Sequence, residues 1–187
     1  MPWRLDSQMM RSRRLGGIFV LVLILGSRAA RADQSPSIGA RLSIGGGALA
    51  PPGTARGKLF ELAPRVEAVV GGNIGAGPAI EFRTANFNTA ELTGGATAVF
   101  TDGERGAIVT LGSGYAWRKQ GQNGSIIAGT VGFGLIHLSS PWLASSTLYF
   151  SFRHAVTGKS RDEATAGVSL GGGVFGAIAR IVMNDHG

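Results

Sequence analysis

From Ser37 the chain alternates apolar with polar or small residues at a period of two, through eight successive segments. "KLFELAPRVEAVV" (58–70) sets Phe60, Leu62, Val66, Ala68 and Val70 against Glu61, Arg65 and Glu67. "SIIAGTVGFGLIHL" (125–138) sets Ile127, Val131, Phe133 and Leu135 against Ala128, Thr130, Gly132 and Gly134. The other segments are 37–49, 76–87, 91–100, 107–119, 146–154 and 164–179. A period of two belongs to strands and not to helices. Glycine reinforces this reading, because each Gly in a helix interior costs about 1 kcal/mol relative to Ala. The breaks between segments are short and turn-like: "APPGTARG", "GGNIGA", "NT", "TDGERG", "KQGQNG", "SSPWLA" and "AVTGKSRDE". Short connections make consecutive strands antiparallel neighbours. The expectation is an all-β fold of eight antiparallel strands.

Residues 1–32 stand apart. A basic stretch, "MPWRLDSQMMRSRR", precedes the apolar run "LGGIFVLVLILG" and the small-residue site "ARA". That is the layout of a cleavable signal peptide, and the apolar run is too short for an anchor, which needs about 20 residues. The expected organisation is a signal peptide over 1–32 and a single domain over 33–187. The first 32 residues carry 6 of the 18 Lys+Arg and 1 of the 11 Asp+Glu, so the rest has a net charge of only +2. The basic balance therefore belongs to the export signal and gives no reason to expect a nucleic-acid partner. Absence of cysteine excludes a disulfide scaffold, thiolate metal sites and thiol catalysis.

Two barrel architectures share this pattern. A soluble, lipocalin-like barrel in the periplasm would turn the apolar face inward around a small ligand. A transmembrane barrel turns it outward. The polar face favours the second, since in segments six and eight it holds almost only Gly, Ala, Ser and Thr, which suit a narrow lumen better than a watered surface. Leu148, Phe150 and Phe152 then face lipid. Phe60, Phe87, Phe100, Tyr115 and Trp117 near strand ends, with Trp142 in a turn, are expected at the headgroup level. Arg41, Glu61, Arg65, Glu67, Glu81, Arg83, Glu91 and Arg153 fall on the lumen face. Isolated buried charge is costly, so their mixed signs point to a packed ion-pair network. Keeping odd residues inward places Glu67 opposite or diagonal to Arg83, and Arg65 near Glu81. An eight-stranded barrel is only just wide enough for its own side chains, so a closed lumen is expected instead of a pore.

These residues resemble the small OmpA/OmpX-type outer-membrane β-barrels. The carriers are the export signal ending "ARAD" and the Gly-rich alternating segments, such as "AIVTLGSGYAW" and "SIIAGTVGFGL". The resemblance implies an eight-stranded up-and-down transmembrane barrel in the bacterial outer membrane. It also implies a monomer whose partners are outer-membrane lipid and lipopolysaccharide. The chain departs from such barrels in ending "AIARIVMNDHG", with Phe175 well upstream, where they usually close on an aromatic. With an even strand number, "GGNIGA", "TDGERG" and "SSPWLA" are expected on the periplasmic side. The other connections, with Arg56, Lys119, Lys159 and Arg161, point outward.

A second resemblance concerns outer-membrane lipid A deacylases, similar barrels with a His-x-Ser motif and a downstream Glu. "FRHAVTGKSRDEA" offers His154 and Glu163, but Val156 occupies the nucleophile's place. No catalytic residues are expected. His137, His154 and His186 are too scattered for a metal site, no phosphate-loop context surrounds the Gly runs, and no cofactor is expected. The expected role is structural or adhesive, with a soluble ligand-binding barrel and a lipid A hydrolase as competing readings.

Overall fold

The computed structural model describes residues 36–50, 57–119, 122–139, 142–157 and 162–172. The expected signal peptide, Gly173, Phe175, His186, Arg56, Lys159 and Arg161 lie outside the described residues. Eight strands follow in order: β1 (Ser37–Ala50), β2 (Gly57–Gly71), β3 (Ile74–Ala85), β4 (Thr89–Thr101), β5 (Arg105–Arg118), β6 (Gly124–Ser139), β7 (Trp142–Ala155) and β8 (Asp162–Gly171). Each pairs antiparallel with the next, and β8 closes on β1 from Arg41↔Gly171 to Ala50↔Asp162. The chain is a closed, all-β, eight-stranded antiparallel barrel. Closure satisfies the backbone groups that an open sheet would leave at its edges. Where β8 stops, the start of β1 meets β7 instead, through the parallel bridge Ile38↔Trp142.

Alternation sets the two faces without a break in parity inside a strand. Odd residues of β1 to β4 point inward, even residues of β5 and β6, then odd residues again in β7 and β8. Outward positions carry the bulk: Leu111 is 65 % exposed, Leu148 64 % and Phe150 61 %. Among the outward positions of these strands, the Asp, Glu, Lys and Arg residues are Lys58, Arg105 and Asp162. Each sits at the first or second residue of its strand. The charge inside is of the opposite abundance. Four arginines and five glutamates are buried among the described residues.

Several boundaries differ from the sequence reading. Trp142 does not lie in a turn but opens β7, because Ser139↔Trp142 already closes the β6–β7 ladder. Thr89 opens β4, and the third connection is the turn Asn86–Asn88. There Asn86 and Phe87 both adopt left-handed φ, +49° and +54°. The Asn88 N–H donates to the Ala85 carbonyl at 3.0 Å. Positive φ at both central residues is what lets a tight turn match the twist of its strands. Asn tolerates that conformation, whereas a bulky residue such as Phe does so only under strain.

The β2–β3 register is Arg65↔Glu81, with Gly71 facing Gly75. Glu67 accordingly lies opposite Ala79, and the expected Glu67–Arg83 neighbourhood is not formed. That pairing would need a turn centred on Gly75, whereas the real one centres on Asn73. The same ladder is interrupted around Pro64 and Pro78. Proline has no N–H to donate, so the wall is weakest in backbone pairing at those two places.

The candidate functional site: a lumen in two tiers

The barrel has a turn end, with connections at 72–73, 102–104 and 140–141, and a loop end, with the other connections. Towards the turn end the inward positions include an apolar group. Val69, Val99, Ile108, Ile136 and Leu143 form one buried cluster, with Leu138 packed against it. Leu143 fits because its neighbour on β1, beside the Ile38↔Trp142 bridge, is Gly39. A Cβ there would lie 3.0 Å from the Leu143 side chain.

Towards the loop end the lumen becomes ionic, and the expected residues meet. Arg65 on β2 donates through Nε to Glu81 Oε2 at 2.8 Å. It then reaches across the barrel to Thr110 Oγ1 at 2.9 Å and Thr130 Oγ1 at 3.2 Å. This span explains the small residues of β4 to β6. Gly95, Gly112 and Ala128 line the same space as Arg65 and leave it room. The Thr110 hydroxyl donates in turn to Thr97 at 3.1 Å. Arg153 bridges Glu81 and, at 3.3 Å, Glu91. Arg41 pairs with Glu67, on the diagonal that the register Gly39↔Glu67 sets.

Arg83, fully buried, is the hub. Its Nε donates to Glu61 at 2.7 Å, and its Nη1 lies 2.7 Å from Glu163 and 3.1 Å from Glu91. The Tyr149 hydroxyl donates to the other oxygen of Glu61. Gly45 makes that possible, since a Cβ on it would fall 2.2 Å from the Tyr149 oxygen. Residues from β2, β3, β4, β7 and β8 are thus held in one continuous network. Two of its pairs, Arg65–Glu81 and Arg83–Glu61, bridge β2 and β3 beside the proline-interrupted ladder. Among the space that remains, a cavity lined by Arg65, Glu81, Thr93, Thr110 and Thr130 has about 10 Å³ free, room for roughly one water.

Two members of the network, Tyr149 and Glu163, were not among the expected ion-pair residues, and Glu163 fell in an expected outer connection. Glu163 belongs to β8, opposite Arg153, and is buried in the lumen. Extending the odd parity of Thr165, Gly167 and Ser169 back by two residues would have found it. His154, by contrast, points outward, where its Nδ1 is 2.7 Å from Asp162 Oδ1. His154 and Glu163 therefore face opposite sides of the wall and are not brought together. Among the described residues, no group of His, Asp and Glu is arranged to hold a metal ion.

The aromatics expected at headgroup level divide between the ends. Phe60, Phe87, Tyr115 and Trp117 are exposed on the outer face at the loop end, and Phe100 at the turn end. Phe60 and Phe87 are 5.9 Å apart, and Tyr115 meets Trp117 edge-on at 5.3 Å. Trp142 starts its strand at the turn end; its side chain lies outside the described residues. Comparison of the chain with models of protein families, with curated proteins and with solved structures returns no match.

Proposed function

We propose that the chain is an exported, monomeric outer-membrane β-barrel with a packed lumen, serving a structural or surface-interaction role without catalysis. One observation carries the reading: the barrel exposes its large apolar side chains and buries its charges. A protein surrounded by water would lose free energy on both counts, at about 25 cal/mol for each Å² of apolar surface left wet and several kcal/mol for each ion taken inside. A barrel surrounded by hydrocarbon gains on the first count and needs the second, because lipid offers charge no solvation. Strands of 10 to 16 residues are long enough for the purpose, since a tilted spanning strand takes about 9–11. The aromatic groups at the two ends and the strand-end positions of Lys58, Arg105 and Asp162 fit the flanking headgroup zones.

The competing soluble barrel would need an apolar interior for a ligand. An interior occupied by guanidinium–carboxylate pairs, with a cavity beside Arg65 of about one water, argues against it. Fractionation separates the readings. The membrane barrel gives a carbonate-resistant pellet with heat-modifiable gel mobility, and cysteines placed at Phe150 and Phe152 react with a lipid-phase label. A soluble periplasmic pool would overturn the proposal. In planar bilayers the expected result is no large, stable conductance.

A further inference from the structure

The two sides of the lumen meet their polar groups differently. Arg65 spans the side walled by β4 to β6 and engages Thr110 and Thr130 there. On the side walled by β7, β8 and β1, four polar atoms find no hydrogen-bond partner among the described residues. They are Arg41 Nε, Glu67 Oε1, Ser145 Oγ and Thr147 Oγ1. Each of these residues is more than nine-tenths buried. The hydroxyls beside them do pair, since Ser43 donates to Ser169 at 3.0 Å.

Register brings the four atoms to one place. Arg41 is the cross-strand partner of Gly171 on β8, and a Cβ on Gly171 would fall 2.9 Å from Ser145 Oγ. Thr147 is the next inward position of β7 after Ser145. Glu67 joins from β2, holding Arg41 through its other oxygen. Glycine keeps the ground beside the hydroxyls free of side chains. Gly171 does so for Ser145, and Gly132 on β6 does so for Thr147, whose Oγ1 would lie 3.1 Å from a Cβ there. An arginine Nε–H can only donate, a carboxylate oxygen can only accept, and a hydroxyl does both. Left dry, each would bear its desolvation cost without return.

We propose that this side of the lumen binds ordered water, held between Arg41, Glu67, Ser145 and Thr147. The ligand must be small and must donate as well as accept. A cation would suit Glu67 and the hydroxyls but would face Arg41. An anion would suit Arg41 but would face Glu67. Water accepts from the Arg41 Nε–H, donates to Glu67 Oε1 and keeps capacity for the hydroxyls, within the roughly two to four bonds a buried water makes. Val69 and Leu143, each two residues from a member of the site, close it towards the turn end. The water therefore leaves only when the packing around it opens. It completes the solvation of the Arg41–Glu67 pair at the border of the apolar cluster. The inference depends on the barrel alone and not on what surrounds it.

The test uses the full chain folded in detergent micelles, with folding scored by heat-modifiable mobility. Water–protein NOE and ROE spectra are recorded at the Arg41 Nε–H, assigned by its loss in Arg41→Lys. The expected result is a water cross peak of opposite sign in the two spectra, the mark of a water held far longer than surface hydration. Ser145→Ala with Thr147→Val removes two partners at nearly constant volume and should weaken that peak several-fold. The same double variant separates wet hydroxyls from dry ones by stability. Replacing unsatisfied hydroxyls with apolar groups stabilises, whereas replacing hydrated ones does not, so the urea midpoint should fall. A midpoint that is unchanged or raised, or the absence of the water peak in the folded parent, overturns the inference. A parent midpoint that shifts when sodium is exchanged for caesium, or chloride for bromide, without a matching shift in the double variant, overturns it in favour of a bound ion. The parent spectrum decides the matter if the double variant does not fold.

Discussion

The two ends of the lumen are closed by different physics, although the same strands build both. β2 carries Glu61, Arg65 and Glu67 inward and then, one step on, Val69. β4 carries Glu91, Thr93 and Thr97 and then Val99. The turn end is filled by side chains whose attraction is non-directional. Any one of them can be trimmed at a cost set by the cavity left behind. The loop half is filled by pairs that must meet in geometry and sign, and the cost of a missing member falls on the partners it abandons. A tier of one kind tolerates change in proportion to volume, and a tier of the other kind tolerates it according to how many partners a residue has.

Arg83 therefore gives the largest expected effect. Arg83→Ala leaves Glu61, Glu91 and Glu163 facing one another without their shared cation. Urea unfolding of detergent-folded protein should show a loss of about 3–5 kcal/mol, the range for breaking a buried pair from one side. Its location beside the proline-interrupted β2–β3 ladder gives the ladder's remaining hydrogen bonds little to compensate with. Leu143→Ala probes the other tier and should cost about 2–4 kcal/mol. Equal losses from Arg83→Ala and from a volume-matched Arg83→Met would be the ionic result. A loss that Met restores would mean that Arg83 acts as filler, and the contrast between the tiers would collapse.

The pair Arg41–Glu67 lies next to the boundary and sharpens the contrast on a smaller scale. Arg41→Leu alone strands a buried carboxylate and should destabilise. Arg41→Leu with Glu67→Leu should return to within about 1 kcal/mol of the parent, because an apolar pair removes both desolvation costs. The double-mutant cycle measures this coupling directly. Additive losses would show that position 67 requires a charge for reasons other than Arg41.

How much of this was legible before the fold was known follows from the kind of signal involved. Alternation is local, so the inward positions of Arg41, Glu61, Arg65 and Arg153 could be read from their neighbours. Barrel closure followed from eight segments with short connections. Register is not local, because it depends on where each turn is centred. "GGNIGA" offered several centres, and the choice that paired Glu67 with Arg83 was displaced from the true one. Glu163 was missed because it borders a connection, where too few residues remain to show a period. The apolar tier was missed for another reason. Val69, Val99 and Ile136 share the parity of the polar residues, yet look like continuations of the adjoining outward row. The left-handed backbone of Phe87 could not be read, since nothing in "NFN" signals two consecutive left-handed residues. Trp142 shows the same limit at a strand start.

The smallest expected effect lies at the turn end, outside the lumen, and tests whether local structure there is independent of the tiers. Asp102 Oδ1 accepts from the Arg105 N–H at 2.9 Å and from the Glu104 N–H at 3.3 Å. These backbone donors favour the carboxylate and hold its pKa below the ordinary value. A depressed folded-state pKa contributes stability that is present above the unfolded value, about 3.9, and is lost as pH falls through the folded one. Asp102→Ala should therefore lower the thermal midpoint slightly at neutral pH, and the gap from the parent should close as the solution is acidified below about pH 4. Asp102→Asn keeps an acceptor oxygen and should differ less at neutral pH, without that pH dependence. Hydrogen exchange would place the Ala effect in the β4–β5 turn and leave the amides of Val99 and Ile108 protected, because the packing of the apolar tier does not depend on the turn's hydrogen bonds. Loss of protection at Val99 and Ile108 would instead join the turn to the tier behind it, and the turn end would then be closed by one cooperative unit.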